Sequence, residues 1–216
     1  MRVNSADREV IVICPNKNGE LTDTGLNRAR KFVAEQRDWI EVQLEGLPPP
    51  QPFEPGGMIL LRGQLYRLVH KGTRGHPAIH HDQREIHVPA PEGSFSGRVR
   101  RLLIREARNR LEIASHHYAE KLGKTVGRVS IRDTRSRWGS CITRKGVGHI
   151  SYSWRLISAP DFVLEYVAAH ECAHLVHADH SSRFWSVCKE LYPDLERAKT
   201  WLRKNGALLH AVGSDF

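Results

Sequence analysis

Apolar positions along this chain follow two periods, and the change from one to the other marks out its elements. Residues 9–14 are an apolar run that predicts a strand ending at Pro15, with a turn at residues 16–19. Leu26, Ala29, Phe32 and Val33 recur at helical spacing and predict a helix from Thr24 to Gln36, with Trp39 and Ile40 docking its end. Residues 47–57 hold five prolines and a Gly pair and read as an extended linker. Alternation predicts strands within 58–69 and 85–88, the first folded at a hairpin turn at Gly63-Gln64. Val99, Leu103, Ala107, Leu111, Ala114, Tyr118 and Leu122 trace one stripe of a long helix over 98–122, stopped by Gly123. Residues 128–132 and 147–156 alternate again, the second following a Lys145-Gly146 turn. An apolar helix over 162–169 follows, with Ser158 as N-cap, Pro160 in the first turn and Asp161 suiting the helix dipole. Residues 182–210 read as helices interrupted at Pro193. The expected class is α+β, with a β-rich region over 1–95 and a second region over 96–216.

Composition narrows the class. The 216 residues are 40% hydrophobic and 26% charged, as in ordinary soluble domains. No apolar run reaches the ~18 residues of a membrane span, and no signal peptide is apparent at the start. Cys14, Cys141, Cys172 and Cys188 form no C-x-x-C pair, so free thiols in a cytoplasmic setting are expected. The net charge of +9 favours acidic partners: nucleic acid, nucleotides or acidic protein surfaces. The long helix carries Arg98, Arg100, Arg101, Arg105, Arg108 and Arg110. That face either meets phosphates or is a solvated surface partly paired with Glu106 and Glu112.

Chemistry concentrates at residues 170–180. His170 and His174 stand four apart, so a helix presents both imidazoles on one face. Glu171 is beside them and free to handle a proton. His180 supplies a third nitrogen if the chain bends back over 175–179. Three nitrogens with an open position are the donor set of a catalytic zinc. Cys172 lies at the wrong helical angle to join them and reads as a small packing residue. His177 and His149 are candidates for supporting the ligands or the transition state, with surface histidines as the competing reading. The strand holding Gly148, His149, Ile150 and Ser151 is a candidate for pairing with an extended peptide substrate. His76, His80, His81 and His87 fit no standard metal spacing and read as exposed loop residues. Trp138, Trp154 and Trp185 read as core packing.

Three motifs in order resemble the YgjP-like metallopeptidase family, which is related to SprT-like and other small zincin proteins. They are Ser136 to Cys141 (SRWGSC), Tyr166 to Leu175 (YVAAHECAHL) and His180 to Trp185 (HSSRFW). The resemblance is strong over the last half of the chain and weaker over the first. It implies a curved N-terminal sheet followed by a minimal zincin core of helix, antiparallel sheet and metal-binding helix. It also implies His170, His174 and His180 as ligands of Zn2+ (with Ni2+, Co2+ or Mn2+ as alternatives) and Glu171 as general base. The residue at 177 departs from the extended metzincin pattern, which has Gly where this chain has His177. The implied activity is peptide hydrolysis of a protein or peptide substrate. Two alternatives stand beside it: a nucleoside triphosphate pyrophosphatase, an activity linked to some members, and a DNA-associated protease, as in SprT-like relatives.

Overall fold

The computed structural model describes residues 1–4, 8–14, 22–134 and 136–214, and over these the chain forms nine strands, six α-helices and one 3-10 helix. Two compact units divide it, residues 1–49 and 50–216. The boundary expected near residue 95 therefore falls inside the second unit.

The first unit pairs β1 (Arg2–Asn4) antiparallel with β2 (Glu9–Ile11) and adds α1 (Asp23–Glu35) and α2 (Arg37–Glu45). Thr22 caps α1 by accepting a hydrogen bond from the Gly25 amide at 3.2 Å. The Arg8 guanidinium donates to the carbonyl of Leu44 at 2.9 Å and so ties the ladder to α2. Trp39 and Ile40 belong to α2 itself rather than to a cap on α1. The turn expected at 16–19 lies outside the described residues.

The second unit opens with β3 (Met58–Leu61), β4 (Gln64–His70), β5 (Ala78–His80) and β6 (Glu85–Val88), in the order β3-β4-β6-β5. The hairpin turn is Arg62-Gly63, one residue earlier than expected, because Leu61 pairs with Gln64. Both turn residues have positive φ, 51° and 74°, as the right-handed strand twist requires of a two-residue loop. His80 and His87 lie on strands rather than in a loop, with ring centroids 4.0 Å apart, and His87 bonds Glu85 at 2.7 Å.

Helix α3 (Phe95–Lys121) buries the expected stripe from Val99 to Tyr118, with Leu122 a partly buried C-cap, and Val99, Leu103, Ala107 and Leu111 are wholly inaccessible. Its arginines mostly clamp the fold. Arg98 donates to the carbonyls of Gly75 and Pro89, Arg100 pairs with Asp133, and Arg110 with Asp161.

The second sheet contains β7 (Thr125–Arg132), β8 (Gly139–Arg144) and β9 (Val147–Ser153) in the order β7-β9-β8. It is mixed rather than antiparallel, since β7 runs parallel to β9 and β8 antiparallel to it. The order places β9, the last of the three in sequence, at the centre. The alternation in sequence fixes the faces of the strands but not their partners. Val126, Val129, Ile150 and Tyr152 face α3, and the Tyr152 hydroxyl lies 2.9 Å from that of Ser115 on the helix.

A 3-10 helix (Trp154–Ser158) leads into α4 (Asp161–Ala173), followed by α5 (Ser182–Leu191) and α6 (Leu195–Ala211). Ser158 is buried in the 3-10 turn, so Pro160, not Ser158, is the N-cap of α4. The start of α4 is held by the β3–β4 hairpin. The Arg62 and Gly63 amides donate to the carbonyls of Ile157 and Ser158 at 2.9 and 2.8 Å, and Arg62 and Arg110 both bind Asp161 at 2.5 Å. A side chain at Gly63 would strike Pro160 at 2.7 Å, so the close approach needs glycine as well as its positive φ. Among the described residues, no helix is long and apolar enough to cross a membrane.

Candidate metal centre

Helix α4 is apolar around most of its circumference. Val163, Leu164, Val167, Ala168 and Cys172 are buried, and the Cys172 thiol donates to the Ser115 carbonyl at 3.3 Å. The helix stops at Ala173, leaving His174 as its C-cap. The Leu175, Val176 and His177 amides then bond back to the carbonyls of Cys172 and Ala173, and the chain reverses. Asp179 accepts from the Ser181 hydroxyl at 2.8 Å and Ser181 opens α5. This reversal returns His180 to the other two histidines.

His170, His174 and His180 each offer one nitrogen, and the three lie within 4.8 Å of one another. The Nε2 atoms of His170 and His180 are 3.2 Å apart. Two nitrogens on a tetrahedral ion, each at about 2.0–2.1 Å, would stand about 3.3 Å apart. His174 Nδ1 lies 3.0 Å from the His177 carbonyl, which can only accept. The proton is therefore on Nδ1, and the Nε2 lone pair is left for a ligand. Burial, with His174, His180 and Lys199 adding repulsion, lowers the pKa of His170 to about 4, so the ring is neutral as coordination requires. Burial also lowers His174, partly offset by its bond to His177. The donor set fits a divalent transition-metal ion.

The rings rest on an aromatic wall. Phe184 lies 4.9, 4.4 and 4.8 Å from His170, His174 and His180, and Trp185 lies 5.6 Å from His170 and 5.7 Å from His180. Tyr166 closes on His170 at 5.9 Å. Wholly buried Phe184 is thus a structural floor for the site, not generic core. Its signal in sequence was the spacing, four residues beyond His180 and on the first turn of the next helix. Trp154 is buried core, whereas Trp138 is partly buried and stacks on His210 at 4.8 Å.

Glu171 is only 4% exposed, and among the described residues its Oε2 has no hydrogen-bond partner. Burial pushes its pKa up to about 8, with Arg137 drawing it slightly back. Gly139 on β8 makes the room: a Cβ there would strike the Glu171 carboxyl, with Cδ and Cγ at 2.7 Å. Gly139 and Arg137 both lie in the Ser136–Cys141 motif, but nothing in their spacing marks them as neighbours of Glu171.

Two sequence expectations are corrected. His149 cannot support the site from its side chain. Gly148, Ile150 and Tyr152 face the helices, so His149 and Ser151 face away from Glu171. The segment Gly148, His149, Ile150 and Ser151 cannot take a peptide by strand addition either. It is the central strand, with its backbone paired to β7 on one side and β8 on the other. The sheet edge on the Glu171 side is β8. His177 contributes its carbonyl to His174, which any residue could provide.

The chain matches the YgjP-like, metallopeptidase domain family over residues 2–205. No curated protein and no solved structure matches it significantly. With nearly the whole chain matched, the protein belongs to the YgjP-like metallopeptidase domain family.

Proposed function

We propose that this protein is a zinc-dependent peptidase in which His170, His174 and His180 hold the metal and Glu171 moves the proton. The observation that carries the reading is the convergence of three imidazole nitrogens beside a buried, unpartnered carboxyl. When bound, a divalent ion polarises a water and a scissile carbonyl, and its charge draws the adjacent Glu171 towards its ionised form. Glu171 Oε2 then accepts the proton of the attacking water and passes it to the departing amine. Phe184 and Trp185 exclude solvent from one side of the imidazoles. The open edge of β8 receives the peptide backbone as an added antiparallel strand, and Gly139 keeps that edge close to Glu171.

The test is a screen of zinc-loaded protein against unfolded proteins and nucleoside triphosphates side by side. The expected outcome is peptide cleavage that Glu171→Gln abolishes, with zinc retained, while His174→Ala loses stoichiometric zinc. Triphosphate hydrolysis without proteolysis would replace the peptidase reading by the pyrophosphatase one. Full zinc in His174→Ala would remove the ligand assignment.

A further inference from the structure

The outer face of the β7-β9-β8 sheet, turned away from α3 and α4, has no part in the metal centre. It forms a cleft of its own. Arg128, Ser130 and Arg132 line it from β7, His149 and Ser151 from β9, and Ser140, Ile142 and Arg144 from β8. The middle row is three hydroxyls in register, Ser130 opposite Ser151 opposite Ser140. The arginines flank that row and are exposed. Among the described residues, no carboxylate lines the cleft and none of the three arginines is ion-paired, in contrast to Arg100 and Arg110 on α3.

We infer that this face binds the phosphate backbone of duplex nucleic acid. Spacing and composition select that occupant. Arg128 and Arg132 are four residues apart on one strand, about 13 Å at ~3.3 Å per residue. Arg144 is on the opposite edge strand, about 10 Å across the sheet. One phosphate cannot meet all three, whereas a backbone carrying phosphates in series can. Guanidinium forks and small hydroxyls are the donors that phosphate oxygens accept from. Among the described residues, no Phe, Tyr or Trp lines the face to stack unpaired bases, so a duplex backbone is favoured over a single strand. The net charge of +9 adds long-range attraction in the same direction.

The test is fluorescence anisotropy of labelled 20-base-pair DNA and RNA duplexes against the full chain over a series of salt concentrations. The triple variant Arg128→Gln/Arg132→Gln/Arg144→Gln should weaken binding at least tenfold. It should also lower the slope of log affinity against log salt by about 2 to 3, at about 0.9 for each phosphate no longer neutralised. A control triple on α1, Arg28→Gln/Arg30→Gln/Lys31→Gln, removes the same charge and should leave both nearly unchanged. Should the sheet triple fail to melt cooperatively, the single variants Arg128→Gln and Arg132→Gln should each lower the slope by about 0.9. Equal weakening by the two triples, an unchanged slope in the sheet variants, or tighter capture of a polyglutamate peptide than of either duplex overturns the inference. Glu171→Gln should bind duplex as the native chain does, which separates this surface from the proposed hydrolysis.

Discussion

Glu171 is the residue where burial and chemistry conflict most directly. Burial raises its pKa from the ordinary carboxyl range to about 8. A carboxyl raised on folding costs nothing below its unfolded pKa near 4.5, and its penalty grows as pH rises towards 8. Metal-free Glu171→Gln should therefore melt several degrees above the metal-free native chain at pH 8 and no higher near pH 4.5, as calorimetry at the two pH values would show. Asp161 has the opposite sign. Burial alone would raise it, but hydrogen bonds from Arg62 and Arg110 overcome this and hold it at about 2. Its contribution is present above about pH 4 and is lost as pH falls towards 2. Asp161→Asn should lower the melting temperature at pH 7, and the gap from the native chain should close as the pH approaches 2.

At the scale of elements, the site depends on two close approaches. Strand β8 meets α4 only because residue 139 has no side chain. Gly139→Ala must displace the Glu171 carboxyl, so turnover should fall by tenfold or more while zinc content, measured by atomic absorption, stays stoichiometric. The β3–β4 hairpin meets the start of α4 through Gly63, Arg62 and Asp161. The hairpin is legible around Gly63 in the sequence, but its turn is Arg62-Gly63, one residue before Gly63-Gln64. Arg62 adopts a positive φ there, which a residue-type rule for turns does not anticipate. The arginines of α3 show the same limit. Their spacing marks a basic face, yet Arg98, Arg100 and Arg110 are occupied by carbonyls and carboxylates far away in sequence.

For the whole molecule, metal and fold are linked. The three histidines come from the end of α4, the reversal after it and the entry to α5, so an ion binding them ties these segments together. A ligand at 100 times its dissociation constant adds about 2.7 kcal/mol to stability. Zinc should raise the melting temperature by several degrees, at ~2–4 °C per kcal/mol for a chain of this size. Chelation should reverse the shift in the native chain and have no effect in His174→Ala.

The sequence by itself determined the local chemistry. Helical spacing put His170 and His174 on one face with Glu171 beside them, and alternation divided the faces of β7 and β9, because both depend only on backbone periods of 3.6 and 2. Tertiary structure decided what those periods leave open. It made β9 the central strand and β8 the edge, turned His149 away from the metal centre, and brought Phe184 beneath three imidazoles. It also buried Glu171 against Gly139. Strand order, burial and the partner of each charge depend on contacts between residues far apart in the chain, and a local period carries no record of them.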